Sequence, residues 1–562
     1  MRTTLAILLL ASLVAVPFAG SAYVLQLGTD ILTFVTLACS WNLISGYVGY
    51  ISFGQVSFFG IGAYVTALLV RHTTIPWYLA VVLAGFAGGL AGLGIGAAML
   101  RLKGIMFALG MFGLARILAV IASNWSFAGG AVGLTLPAQL TPVAVYAEMA
   151  VTALCAFAVN AFFSRSGFGL DAMSIRDDED AAAALGVPTT RIKITAFILS
   201  AVFPAIVGGL VAWNRSFIDP VSAFDSGIDL RTIVFTLFGG IGTLWGPFLG
   251  TLALMLVSEQ LWAHLPELQL ALFGALIIVV VLAMPGGLVG LANRFGWLSP
   301  RAILAPPVFP DVEPPPAPMP PASREPVLEV KDLTVRFGGV VALDRVSFSV
   351  RHGETLSIIG ANGAGKTTLF NAITGFVTPS SGTIAFYGTP ITRLAPLELA
   401  RRGIARTFQI PRLMESMSVW ENVLLASRHG KQSRNAVRHA AWALRTTGLE
   451  SMWLEPAEKL TPGQRRRLEL ARALALQPTV VLLDEVMAGM TRQEQEEVRQ
   501  VIRELKSLGV AAVAGIEHVV SAIKDLSDHM VVLDFGRKIA DGTPEAVLRD
   551  PVVVQAYLGE PQ

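Results

Sequence analysis

The chain has 562 residues, of which 53% are hydrophobic and only 15% charged, against roughly 25% charged residues in an average soluble protein. A formal net charge of +2 supplies no broad field for nucleic acid or an acidic ligand, so nucleic-acid binding is excluded as a class and recognition has to come from local sites. The charge is also unevenly divided, with 24 Lys, Arg, Asp and Glu in residues 1–297 and 58 in the remaining 265; no single solvent suits both halves.

In chain order, residues 1–22 combine Arg2, an apolar run and small residues, a pattern shared by secretory signals and first membrane helices. The apolar segments that follow at once favour a retained helix. Runs near 23–45, 77–100, 104–122, 143–163, 194–213 and 267–290 reach the about 20 residues needed to cross a bilayer as a helix. Val56 to Val70 is shorter and contains glycine. The stretch from Arg231 to Trp262 would be roughly 48 Å long as one helix, well beyond a hydrocarbon core of about 30 Å, so it is predicted as two short helices meeting at Gly242 to Trp245. Cys39 and Cys155 lie in apolar surroundings and are expected to be packing residues, neither a disulfide nor a metal cluster. The many intramembrane glycines allow close helix approach. Two of their clusters, Gly46 to Tyr50 and Gly239 to Pro247, are also candidate breaks near a solute path.

Arg165, Arg176, Arg191 and Lys193 fall in one short loop, which places that loop in the cytoplasm. Within it Asp180 to Leu185 is nearly all alanine. Asp177 to Asp180 would start a short helix and Gly186 would end it. Such a helix is either a solvated loop element or a docking helix that packs into a groove of a partner domain. From Pro300 to Pro326, 11 of 27 residues are proline, which favours an extended tether at about 3.1 Å per residue.

The soluble half opens with a strand-like run, Thr355 to Ile359, followed by Gly360-Ala361-Asn362-Gly363-Ala364-Gly365-Lys366-Thr367-Thr368 and a helical pattern. That is the context of a phosphate-binding loop, in which glycines let backbone N–H groups converge on phosphate oxygens beside a helix N-terminus. Asn362, Gly363, Gly365, Lys366, Thr367 and Thr368 are therefore the candidate nucleotide contacts. Lys366 reaches the β and γ phosphates, and Thr367 offers its hydroxyl to Mg²⁺. A second strand-like run, Thr479 to Leu483, ends in Asp484 and Glu485. Asp484 is read as holding Mg²⁺ through water, and Glu485 as polarising the attacking water.

With these motifs residues 327–562 resemble the nucleotide-binding domains of ATP-binding-cassette transporters. The resemblance assigns Phe337 to the adenine ring, Gln409 to γ-phosphate and metal, and His518 to the switch histidine. Leu460-Thr461-Pro462-Gly463-Gln464 takes the place of the signature, whose Thr461, Gly463 and Gln464 would contact a nucleotide held by a second domain. Two departures stand out: threonine and proline in the signature, and Val486 where related importers commonly carry proline. Gly46 to Gly54, Gly60 to Tyr64, Leu102 to Ile105, Asp180 to Gly186 and Gly239 to Pro247 look like the permeases of branched-chain amino-acid importers. Asp534 to Thr543 and Tyr557 to Gly559 are similar to the matching ATPase subunits.

The expectation is a polytopic α-helical membrane domain (1–297), a proline-rich linker (298–326) and an α/β P-loop ATPase domain (327–562). The resemblance implies a multi-pass subunit of a bacterial inner-membrane importer, with its ATPase cytoplasmic, working with ATP and Mg²⁺. It also implies a periplasmic substrate-binding protein, membrane lipid, and a second permease and ATPase domain in a homodimer or heteromer. Urea, short amides or aromatic acids are alternative cargoes. An exporter half-transporter and a membrane-tethered regulatory ATPase are the rival classes.

Overall fold

The computed structural model describes residues 21–137, 141–264, 286–295, 326–431, 433–487, 490–507, 510–516 and 526–558, with positions 17, 274–275, 278, 282, 284, 304–306 and 308–311. The question of a helix over 1–22, and most of the run predicted at 267–290, lie outside these residues. The chain forms two compact units, one of residues 1–176 and 190–303, the other of 177–189 and 304–562.

In the first unit, five helices among the described residues are long and apolar enough to cross a membrane: Ala22–Tyr47, Trp77–Met99, Ile105–Asn124, Pro142–Phe163 and Thr189–Arg215. The first ends in a π-helical turn, Asn42–Tyr47. The shorter apolar segment is a helix, Gln55–His72. The long interrupted stretch divides as its length demands, into Ser226–Gly239 and Gly246–His264. Gly240, with φ of 123°, ends the first half in a conformation that favours glycine. The glycines of Trp77–Met99 mostly do what small residues do in lipid. A Cβ at Gly88 or Gly92 would run into Ala205 or Ala201 of Thr189–Arg215, whereas Gly94 faces open space. Cys39 is buried as expected, but Cys155 is exposed on its helix, because an apolar side chain in a membrane helix can face lipid as well as packing partners.

The two glycine breaks singled out in the sequence meet. Asn42 Nδ2 donates to Thr243 O (3.1 Å) and to Asn160 Oδ1 (2.9 Å), while Gly242 N donates to Asn42 Oδ1 (2.8 Å). Asn160 Nδ2 in turn donates to Cys39 O, so the polar groups at this crossing satisfy one another as burial requires.

The second unit is built on two sheets. One has six strands in the order Arg537–Gly542, His529–Asp534, Thr355–Ile359, Ala511–Ile516, Val480–Asp484 and Ile404–Arg406, parallel except at the 529–534/537–542 pair. Thr355–Ile359 and Val480–Asp484 are buried throughout, as strands covered on both faces are. The other sheet is antiparallel, in the order Val340–Val350, Leu328–Phe337, Ser381–Phe386, Thr389–Pro390. Helices Val419–His429, Ala436–Thr446 and Pro462–Ala475 pack together beside them.

Two segments from outside the predicted ATPase domain belong to this unit. The first is the alanine helix, Glu179–Ala184, capped by Asp178, whose Oδ1 accepts the Ala181 N–H (2.9 Å). The second is part of the proline-rich stretch. Phe309 lies edge-on to Trp453 (5.7 Å) and Trp420 (6.5 Å), and Arg445 Nη1 donates to Asp311 Oδ1 (3.1 Å). The stretch is thus held at a definite point, which its composition alone does not reveal.

Candidate active site

The phosphate loop begins where Thr355–Ile359 ends. Gly363 (φ 83°) and Gly365 (φ 101°) adopt left-handed backbone, which glycine enters without a steric cost. Gly365 then caps helix Lys366–Ile373. A Cβ at Gly363 would meet nothing within 4 Å, whereas one at Gly365 would press on Ala342 O at 2.7 Å. The loop is therefore open on the side where phosphates approach and tight where it packs. Lys366 is buried, its Nζ donating to Gly360 O (2.6 Å) and Ala361 O (3.0 Å), so the ammonium lies over the loop. Asn362 and Thr367 are exposed and Thr368 half-buried.

Strand register brings the remaining groups to the same edge. Ile516 pairs with Ile359, and Gly515 with Asp484, so three neighbouring parallel strands end together, the place where open α/β sheets bind ligands. Gln409 Nε2 donates to Glu485 Oε1 (2.8 Å). Asp484 N donates to Thr407 Oγ1 (3.0 Å), and Asp484 Oδ2 lies 3.8 Å from Arg406 Nη2. Glu485 has φ of 47°, an uncommon conformation for a residue with a side chain and one found at functional sites. Its carbonyl accepts from Arg466 Nη1 (2.7 Å). Phe337 closes its strand with half of its surface exposed, leaving a ring face available for stacking. His518, two residues beyond Ile516, lies outside the described residues.

The donor set suits a hard divalent cation. Thr367, Gln409 and Asp484 offer hydroxyl, carboxamide and carboxylate oxygen and no soft ligand.

The signature is a helix start. Thr461 caps helix Pro462–Ala475 in a capping box, its Oγ1 accepting from Gln464 N (3.3 Å) and its N–H donating to Gln464 Oε1 (2.9 Å). Pro462 holds the first helical position, where the N–H has no helical partner to lose, so the proline departure costs the helix nothing. Gly463 is buried, and a Cβ there would meet the Glu494 carboxylate, which would have to swing aside to admit it.

Four charged residues that the sequence did not single out organise this region. Arg406 is buried, donates to Asn371 Oδ1 (2.7 Å) and Thr374 Oγ1 (2.9 Å), and stacks on Phe408. Burial lowers its pKa to about 10, opposed by the Asp484 and Glu469 charges. Glu469 Oε1 accepts the Phe408 N–H (2.9 Å); burial pushes it up to about 7 against the pull of Arg472. Arg472 donates to Arg412 O, and Arg412 lies over Phe408 and reaches Asp178 (3.6 Å) and Asp180 (3.8 Å). The segment around Gln409 is thereby tied to the signature helix on one side and to the alanine helix on the other. Ala181 and Ala182 are fully buried, the helix packs on Pro396–Arg402, and Asp177 Oδ2 accepts from Ser416 N (2.9 Å). The only sequence signal for these four was their position next to the motifs.

A phosphate loop, an acidic pair and a glutamine on one sheet edge, with an antiparallel sheet and a helical insert, define an ATP-binding-cassette ATPase. Here it shares a chain with a multi-pass membrane domain.

Comparison with known proteins agrees. Residues 23–281 match the family described as branched-chain amino acid transport system / permease component, 343–488 match ABC transporter, and 537–561 match branched-chain amino acid ATP-binding cassette transporter. The high-affinity branched-chain amino acid transport ATP-binding protein BraF of Pseudomonas aeruginosa is 39% identical over 251 residues, covering 42% of this chain and 98% of its own length. LivG of Escherichia coli K12, described in the same words, is 38% identical over 253 residues, covering 42% and 99%. A crystal structure of a nucleotide-free ATP-binding cassette from an ABC transporter is 33% identical, covers 42% of this chain and all of its own, and has a TM-score of 0.39. The chain belongs to the branched-chain amino acid ABC transporter family, as a permease fused to its ATP-binding subunit.

Proposed function

We propose that this chain supplies one permease and one ATPase of an importer in the bacterial inner membrane. Branched-chain amino acids delivered by a periplasmic substrate-binding protein would be its cargo, as the names of its relatives suggest. The observation that carries the reading is the alanine helix: its chain neighbours on both sides belong to the membrane unit, yet 177–189 is built into the nucleotide-binding unit, beside the segment bearing Gln409.

In this reading Lys366, Thr368, Asn362 and the amides of Gly363 and Gly365 hold the phosphates, and Phe337 stacks on adenine. Glu485 polarises the attacking water, and His518 serves as the switch histidine. Thr367 and Gln409 hold Mg²⁺, with Asp484 reaching it through water; when bound, the ion neutralises charge building on the transferred phosphoryl group. Thr461, Gly463 and Gln464 complete the site of an opposing ATPase domain, so a second ATPase and a second permease are required. A change at Gln409 passes through Arg412 to Asp178 and Asp180, which gives the nucleotide state a mechanical outlet.

The test is reconstitution of the whole assembly in proteoliposomes with ATP on the ATPase side. Uptake of leucine, isoleucine and valine should require the liganded binding protein, which should also stimulate hydrolysis. Export, or hydrolysis indifferent to the binding protein, would reject import. Uptake of urea, amides or aromatic acids in their place would change the substrate class.

A further inference from the structure

Helix Gln55–His72 starts inside the membrane unit with no side-chain cap of its own, because Gly54 precedes it. The acceptor for its first turn comes from elsewhere in the chain: Asp229 Oδ1, in the first turn of Ser226–Gly239, takes the Val56 N–H at 2.9 Å. Asp229 is only 4% exposed and Gln55 3%. The other carboxylate oxygen of Asp229, both polar atoms of the Gln55 side chain and the Ser57 hydroxyl make no hydrogen bond. Among the described residues Asp229 has no ion-pair partner.

A Cβ at Gly54 would strike Met111 O at 2.4 Å, so this helix start cannot carry a cap of its own and Asp229 supplies one. That role leaves a carboxylate without a counter-charge beside an unbonded carboxamide inside a membrane domain, which is expensive. Packing does not explain the unbonded atoms. Beyond its first turn the helix is packed closely, with Gly62 against the Ala205 backbone and Gly60 against Phe224; the first turn itself carries three buried polar atoms without a hydrogen bond, and Asp229 Oδ2 on Ser226–Gly239 is a fourth. The chemistry on offer is specific. A carboxylate oxygen and a carboxamide oxygen accept from an ammonium, and the Gln55 amide and Ser57 hydroxyl donate to a carboxylate. A helix N-terminus adds positive potential on the donor side.

Resting on the import reading above, we propose that Asp229, Gln55 and Ser57 form a transient contact site for the backbone of the transported α-amino acid, with its ammonium on Asp229. The cargo meets these groups when helices Gln55–His72 and Ser226–Gly239 part during transport. Selection at this site falls on the ammonium and carboxylate that all α-amino acids share.

The experiment uses the complete reconstituted transporter with its binding protein. Asp229→Asn keeps an oxygen to accept the Val56 N–H while removing the charge. Leucine uptake should fall at least tenfold, with basal ATP hydrolysis within twofold of wild type and an unchanged melting temperature. Gln55→Ala should also lower maximal uptake, by about threefold or more. Uptake by Asp229→Asn at the wild-type rate overturns the assignment. Should that variant fail to assemble, Gln55→Ala decides in the same assay, and wild-type uptake there overturns it equally. A wild-type transporter that moves no branched-chain amino acid rejects the import reading and this site with it. One that moves leucine beside variants that move it equally well rejects the site alone.

Discussion

Glu485 is held by its side chain through Gln409 and by its carbonyl through Arg466, in a backbone conformation that costs energy. If it is the base, Glu485→Gln should retain nucleotide binding and lose turnover by about 100-fold or more, the usual scale of general-base removal. Normal single-turnover hydrolysis by that variant would remove it from the role. Glu469 is a different kind of carboxylate, buried and lifted to about 7. A carboxyl with a folded pKa above its unfolded value near 4.5 favours the folded state below that pH. This contribution is lost as pH rises toward 7, at up to about 1.4 kcal/mol per pH unit. Glu469→Gln keeps the oxygen that accepts from Phe408, so the melting temperature of the variant should decline less steeply than that of wild type between pH 5 and 7.5. Parallel declines would place the titration in another group. The sequence revealed Glu485 because its motif has a fixed spacing. It concealed Glu469, because a charged residue on a helix reads as a surface residue until the helix is packed.

Among the elements, those with a length or capping argument were the most legible. The division of residues 226–264 followed from bilayer thickness, and the short helix at 179–184 from its acidic start and Gly186. The sequence left open what that helix packs against, since alanine serves equally on a solvated face and in a tight groove. With Ala182 fully buried, Ala182→Leu should overpack the contact at about 1–3 kcal/mol and separate ATP hydrolysis from uptake. The check is moles of leucine moved per ATP, and an unaltered ratio would rule out this contact as the coupling point. The meeting of Asn42 with Gly242 was half legible: both breaks were visible as glycine clusters, but a pairing across 200 residues has no local signature.

At the scale of the whole chain, uneven charge was enough to separate a lipid-facing half from an aqueous one. Composition missed how the halves share chain, because segments 177–189 and 304–311 are placed by specific partners and not by their overall polarity. Phe309 adds two aromatic contacts, each worth about 0.5–1.5 kcal/mol beyond burial. Phe309→Ala should therefore make the proline-rich stretch of the intact transporter about tenfold more open to limited proteolysis, and equal cleavage rates would mean the contact contributes nothing to holding it. A stretch of 29 residues, 298–326, could extend about 90 Å at 3.1 Å per residue, whereas the 11 residues of it before Phe309 span at most about 35 Å. Seating that one ring thus more than halves the free length of chain between the fused proteins. Because its seat is a pair of tryptophans, the molecule carries a built-in optical gauge: a shift in indole emission would report, without any added label, whether the slack has been taken up.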